Sequence, residues 1–280
     1  AVHHDVNPAG FRGPAFRPMA AGTRRLVFLG DSFTFGEGVR NEDTYPEVAA
    51  RLLRKSGRPV ESCNLGVGGY NTTQEAEILK LVGLDLHPDV VVLGYTLNDA
   101  EPPLFQMDPT SGKPVRRPRE SLIESEGAFG RPPNSPLYRL HLAQAVWQVQ
   151  RQRRLTKQTL DYYTSLYAPS SAGRVESERA LGEIIAACSQ RETVCIVVMF
   201  PVLYNLSRDY PFKSIHEEIG AVVRKAGGRY IDLLPALMNQ DARTLIVHPT
   251  DQHPNEKVHA HAGRMVAEEI SRLPGFSPER

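Results

Sequence analysis

Arg25-Leu-Val-Phe-Leu29 runs straight into Gly30-Asp31-Ser32, and this junction decides the fold. An almost wholly apolar run cut off by a glycine-led turn reads as a strand, over 25–29, buried on both faces and ending in a loop. Downstream the same arrangement repeats. Tyr45, Val48, Ala49 and Leu52 fall at helical spacing, predicting a helix over 43–55 with Asp43 and Thr44 as capping candidates. A second apolar strand over 60–65 ends in Gly66-Val-Gly68-Gly69, and Thr72-Thr-Gln-Glu75 has the pattern of a capping box opening the next helix. The third strand spans 89–94. Strands that are apolar throughout and alternate with helices form a parallel sheet covered on both sides.

The alternation breaks over 101–136, where eight prolines are interspersed with Arg116, Arg117 and Arg119; an irregular stretch of this length inside a domain is usually functional or mobile. Helical spacing resumes at Leu142, Ala145, Val146 and Val149 and extends to about 167. The Arg151–Arg154 cluster on it reads as a solvated face, with contact to an anionic polymer or membrane surface as the alternative. Leu181, Ile184, Ile185 and Cys188 mark another helix, followed by a fourth strand over 193–200. Phe212, Ile215, Ile219 and Val222 mark a helix started by Pro211. A short fifth strand covers 229–233, and Val258, Ala262, Met265, Val266 and Ile270 mark the last helix. The expected architecture is α/β: a doubly wound, flavodoxin-like, five-stranded parallel sheet between helices, with a long insertion after strand three. By organisation, 1–24 is an extended arm, 25–273 one domain with 101–170 inserted to shape the substrate side, and 274–280 a tail.

Composition narrows the function. With 33 Lys+Arg against 32 Asp+Glu among 280 residues, the net charge is +1. No field of one sign is available to hold a polyanion, which argues against a nucleic-acid partner. Cys63, Cys188 and Cys195 form no Cys-x-x-Cys pair and no disulfide framework, and read as small buried apolar residues. The longest apolar runs fall far short of the roughly 20 residues of a membrane helix, so no membrane insertion is expected. No signal peptide is visible.

In an open parallel sheet, ligands bind beyond the carboxyl ends of the strands. Strand one delivers Asp31 and Ser32 there, strand two Gly69, Tyr70 and Asn71, and strand three Thr96, Asn98 and Asp99. His248-Pro-Thr-Asp251-Gln-His253-Pro-Asn255 precedes the last helix. Together these hold a hydroxyl nucleophile, an imidazole base, a carboxylate to orient it, and amide donors for an oxyanion. Asp31 and Asp99 read as structural residues that tie down their turns, and Asn255 as the cap of the last helix.

These segments resemble the SGNH hydrolase superfamily, the GDSL-type esterases and lipases, over most of the chain. Leu29-Gly-Asp-Ser-Phe-Thr34 resembles the block that carries the serine nucleophile. Asn64-Leu-Gly-Val-Gly-Gly69-Tyr-Asn-Thr72 resembles the block whose glycine N–H serves the oxyanion hole, Gly69 being the best match and Gly68 the neighbouring one. Val92-Leu-Gly-Tyr-Thr-Leu-Asn98-Asp99 resembles the block whose asparagine gives the other donor. Asp251-Gln-His253-Pro-Asn255 resembles the block with the acid and base. The resemblance implies a serine esterase with catalytic Ser32, His253 and Asp251. Its oxyanion hole would be made of the Ser32 N–H, the Gly69 N–H and the Asn98 amide, and it would need no cofactor or metal. The substrate implied is an O-acyl or O-acetyl ester of a saccharide or lipid. Asn7-Pro-Ala-Gly-Phe-Arg12-Gly looks like the lead-in of bacterial members from envelope and polysaccharide contexts. That implies an extracytoplasmic setting reached with a leader or anchor outside these 280 residues.

The sequence departs from the pattern twice. Thr96 stands where a glycine is common, two residues before the asparagine. Thr250 occupies the usual aspartate position, so Asp251 is two rather than three residues before His253, and a Ser–His dyad oriented by a carbonyl stands as the alternative. Other readings stay beside the esterase: an O-acyltransferase with the same site, a flavodoxin-like binder cradling a phosphate at 32–36, and an inert carbohydrate-binding module. Gly66–Gly69 imitates a dinucleotide fingerprint but lacks its third glycine and follows the wrong strand. His248, His259 and His261 suggest a metal only weakly, because residues two apart do not share a helix face and no glutamate completes a zincin motif.

Overall fold

The computed structural model describes residues 2–108, 110–111, 113–116, 141–248 and 251–276. Five strands, β1 (Arg24–Leu29), β2 (Val60–Asn64), β3 (Val90–Tyr95), β6 (Val194–Met199) and β7 (Arg229–Asp232), form one parallel sheet in the order β2-β1-β3-β6-β7. All six β3 residues are buried, as are five of six in β1 and in β6. This is why these runs are apolar without alternation: water reaches neither face. Helices α2 (Tyr45–Lys55) and α8 (Glu256–Ser271) pack together, as do α3 (Thr72–Ile78), α5 (Ala172–Ser189) and α6 (Lys213–Lys225). The chain steps from β1 outward to β2, then returns past β1 to β3. The order in which strands are laid down therefore reverses between β1 and β3, and the loops after those two parallel strands flank the crevice where such sheets bind ligands.

Several local expectations change in detail. Neither Asp43 nor Thr44 caps α2 through its side chain; the Thr44 hydroxyl instead donates to Asn41 O at 2.8 Å, and Pro46 sits in the first turn. The cap of α3 is Asn71, one residue before the predicted Thr72. Its Oδ1 accepts from Gln74 N at 3.1 Å, while Gln74 Oε1 accepts from Asn71 N at 3.4 Å. Asn and Thr both cap well, and the register is chosen by Thr72, whose buried hydroxyl is needed elsewhere. Past Ile78 the helix widens into a π-turn over Leu79–Gly83. Pro211 lies before Phe212, the cap of α6, rather than in its first turn.

Two hairpins were not anticipated. Phe105–Met107 (β4) pairs antiparallel with Pro114–Arg116 (β5) inside the proline-rich stretch. Ile246–His248 (β8) pairs antiparallel with Asp251–Pro254 (β9) just before α8. The insertion otherwise includes the helix α4 (His141–Leu166); residues 117–140, the side chains of Arg151–Arg154, and Thr250 lie outside the described set. At the far end Phe276 is buried, and its carbonyl accepts from Arg58 Nε at 2.5 Å. Cys63, Cys188 and Cys195 are buried and unbonded. Among the described residues no helix is long and apolar enough to cross a membrane.

The N-terminal arm gains its order from one buried cation. Arg12, 1% exposed, donates from Nη1 to Phe35 O (2.8 Å) and Gly36 O (2.5 Å) and from Nη2 to Val39 O (2.6 Å). Its guanidinium also lies 5.1 Å from the centre of the Phe35 ring.

Candidate active site

Ser32 opens a single helical turn, α1 (Ser32–Phe35), directly beyond β1. The turn is tight because Gly30 has φ +147°: a Cβ there would lie 2.0 Å from Thr34 Oγ1. Asp31 caps the turn, its Oδ1 accepting from Phe33 N at 2.8 Å. Thr34 turns inward, donating to Leu29 O (3.2 Å) and meeting Tyr45 Oη (2.9 Å). Asp31 and Thr34 are thus anchored below, and Ser32 is left at the rim, half-buried.

His253 and Asp251 reach the same rim from β9. Residues two apart on a strand point to one side, and here that geometry brings Asp251 Oδ1 to 2.5 Å from His253 Nδ1, while the same oxygen accepts from His253 N at 3.1 Å. His253 Nε2 lies 2.8 Å from Ser32 Oγ. The three residues form one hydrogen-bonded series, so the two-residue spacing brings the carboxylate to the ring without the aspartate position at 250. Phe33 lies edge-on to the imidazole at 5.7 Å and to Phe200 at 5.7 Å, steadying one side of the ring. The His253 and Asp251 side chains are 29% and 37% exposed, which leaves the series open to a ligand from solvent. Asn255 caps α8 by accepting from Lys257 N, and its Nδ2 donates to Thr244 O at 2.9 Å, tying the hairpin base to the helix.

The amide donors come from the loops after β2 and β3. Gly69 has φ +81°, and a Cβ on it would lie 2.7 Å from Leu104 Cδ2; Gly68 is the glycine beside the serine, a Cβ there standing 3.9 Å from Ser32 Cβ. Asn98 Nδ2 donates to Asp31 Oδ2 at 2.9 Å. An amide nitrogen has two N–H bonds, so Asp31 takes one and a second remains to donate. Thr96, at the position where glycine is common, serves as the hub of this loop. Its hydroxyl donates to Asn98 Oδ1 in a short contact, and it also lies 3.3 Å from Asp99 Oδ2 and 3.4 Å from Asp31 Oδ2. Burial pushes the Asp99 carboxyl up to about 8, and the nearby Asp31 charge adds to the rise.

The sequence reading missed three contributors: Thr96 as hub, Glu75 behind it, and Arg12 beneath α1. The capping-box pattern makes Glu75 the partner of Thr72; with the box formed by Asn71 and Gln74, Glu75 faces inward instead. His259 is buried, its Nδ1 accepting from Tyr45 N at 3.1 Å. Among the described residues no three His, Cys, Asp or Glu side chains gather as a metal-binding set.

The model of the GDSL-like lipase/acylhydrolase family matches residues 28–261. None of the curated proteins matches the chain. An acetylxylan esterase from Geobacillus stearothermophilus, solved as a catalytic mutant, is similar in structure at TM-score 0.53 and 12% identity, the match covering 94% of this chain and 100% of that one. An alpha/beta hydrolase enzyme from the metagenome of Lake Arreo, Spain, is similar at TM-score 0.51 and 17% identity, covering 89% of this chain and 97% of the other. At such identities the likeness is one of fold.

Proposed function

The chain belongs to the GDSL-like lipase/acylhydrolase family, hydrolases that act on esters, and from this premise we propose that it cleaves a carboxylic O-acyl ester through Ser32, His253 and Asp251. The observation that carries the reading is the unbroken series from Ser32 Oγ through the His253 ring to Asp251, at 2.8 and 2.5 Å. His253 Nε2 takes the hydroxyl proton as Oγ attacks the ester carbon. Asp251 accepts from Nδ1–H, holding the productive tautomer and stabilising the imidazolium. The imidazolium proton then goes to the departing alcohol, and water, deprotonated by the same ring, releases the acid from the serine. The oxyanion is met by the Ser32 N–H, the Gly69 N–H and the second N–H of Asn98 Nδ2; one such donor is worth about 2.7–4 kcal/mol of barrier.

The substrate proposed is an O-acyl, above all O-acetyl, group on a saccharide or lipid. The contact between Gly69 and Leu104 supports a part for the 101–170 insertion, since Leu104 stands at its start and against the oxyanion glycine. Wild type and Ser32→Ala are to be compared on a panel of acyl esters and with a fluorophosphonate probe. Ester cleavage and covalent labelling that both vanish in Ser32→Ala are expected. Labelling retained in that variant, or none in the wild type, overturns the reading. Acyl transfer to a saccharide hydroxyl that outpaces hydrolysis overturns it in favour of a transferase.

A further inference from the structure

Behind the loop that carries Asn98 lies a carboxyl that the proposed reaction does not use. Glu75 is 1% exposed, and neither of its oxygens reaches an N–H or O–H donor of the ordinary kind. The polar group it meets is the carboxyl of Asp99, itself 2% exposed. Two ionised carboxylates cannot hydrogen-bond each other, and a bare carboxylate out of water is costly, so the contact requires a proton between them.

The donors decide which partner carries it. Asp99 Oδ2 accepts from Thr96 N (2.6 Å), and Asp99 Oδ1 accepts from Thr72 Oγ1 (3.1 Å). These donors lower the Asp99 carboxyl against its burial, so of the two it is the weaker base and Glu75 the one that keeps its proton to higher pH. Glu75 has no comparable support. Burial, followed by the charges of Asp99 and Asp31, holds its carboxyl well above the usual range. Among the described residues the other titratable groups around the pair are Asp31 beyond β1, Tyr45 on α2, Tyr95 on β3 and Tyr167 after α4, and none of them brings positive charge. From α5 comes only the Ser177 hydroxyl, 3.1 Å from Thr72 Oγ1 and 2.8 Å from Tyr95 Oη.

We propose that Glu75 is a positioning residue for the oxyanion side of the site: it donates a carboxylic proton to Asp99, which stays fixed as the acceptor that closes the Leu97–Ala100 turn bearing Asn98. Losing that proton sets three carboxylates, Asp31, Glu75 and Asp99, against one another behind Asn98. The turn then loosens on the alkaline side. The catalytic consequence rests on the esterase reading; the proton itself does not.

The test has two arms. Infrared difference spectra of the wild-type protein, with and without 13C in the glutamate carboxyls, read the proton directly. A carboxylic C=O band present at neutral pH and shifted by the label is expected, and no label-sensitive band overturns the proposal whatever the enzyme hydrolyses. Kinetics form the second arm. Glu75→Gln, whose amide can donate to Asp99, should keep kcat within about threefold and lose the alkaline fall that the wild type shows, whereas Glu75→Met should lower kcat by at least about tenfold with KM little changed. Equal damage in both variants, or an unchanged alkaline limb in Glu75→Gln, overturns it. If Glu75→Met does not fold, the glutamine variant's pH profile and the infrared band decide. A wild type that cleaves no ester while showing the band leaves the proton standing and removes the esterase reading alone.

Discussion

Asp251 and His253 are joined twice: one carboxylate oxygen accepts from both the backbone N–H and the Nδ1 side of the same histidine, at 3.1 and 2.5 Å. The strand's two-residue period does the work that a three-residue turn does elsewhere.

If that carboxylate orients the ring, Asp251→Asn should cost activity heavily. The amide can turn an N–H toward Nδ1 and stabilise the wrong tautomer. A fall in kcat of about three to four orders of magnitude is expected, with the melting temperature little changed. Near-normal turnover would mean that a serine–histidine pair suffices.

Gly69→Ala should impair the site for two separable reasons. Alanine at φ +81° is strained, by about 1–2 kcal/mol, and its methyl would press on Leu104. Leu104→Ala in the same chain should recover the part due to the clash and leave the part due to φ. A double mutant cycle in kcat/KM measures the division, and no recovery at all would place Leu104 elsewhere in solution.

Arg12→Ala removes the guanidinium donors from three carbonyls; those of Phe35 and Val39 lose their donor, while that of Gly36 keeps the Val39 N–H at 3.3 Å. Unsatisfied buried groups cost about 1–3 kcal/mol each, so a loss of several kcal/mol in urea unfolding is expected. Arg12→Lys should recover only a fraction, because an ammonium cannot span the same fork. An unperturbed unfolding midpoint for Arg12→Ala would count against the arm's part in holding α1.

His259 sets an acid limit to stability. Burial, then the charges of Arg12 and His253, lowers it from the ordinary 6.5 to about 3 in the folded chain. Between those values the unfolded chain binds a proton that the folded chain refuses. Stability should therefore fall as pH drops from about 6.5 toward about 3, by up to about 1.4 kcal/mol per pH unit for this one group, and level off below. His259→Asn keeps an acceptor for Tyr45 N and should remove that component; urea unfolding across the acid range tests it, and an unchanged slope would refute it.

The sheet and the residues at its strand ends were legible because both are written locally. Unbroken apolar runs mark doubly covered strands, Ser32 and Asn98 sit where such runs stop, and the 251–255 segment stands immediately before the last helix. What stayed hidden depends on partners far along the chain. Arg12 meets Phe35 and Val39, and Glu75 meets Asp99; neither pairing has a periodicity to betray it. The β8–β9 hairpin was missed for another reason. At three and four residues its strands are too short to display alternation, and the turn signals around Pro249 outweighed them. Thr72 and Asn71 show the same limit at the scale of one residue, where two good caps compete and only a tertiary hydroxyl contact breaks the tie.

The β8–β9 ribbon is hydrogen-bonded to itself and stands apart from the five-stranded sheet. Asp251 and His253 therefore travel as one body, and Ser32 as another. A displacement of the ribbon leaves the aspartate–histidine distance alone and stretches only the gap to Ser32. In the proposed chemistry the ring would remain correctly tuned while out of reach, making that single span the throttle through which strain anywhere in the 246–254 segment is converted into rate.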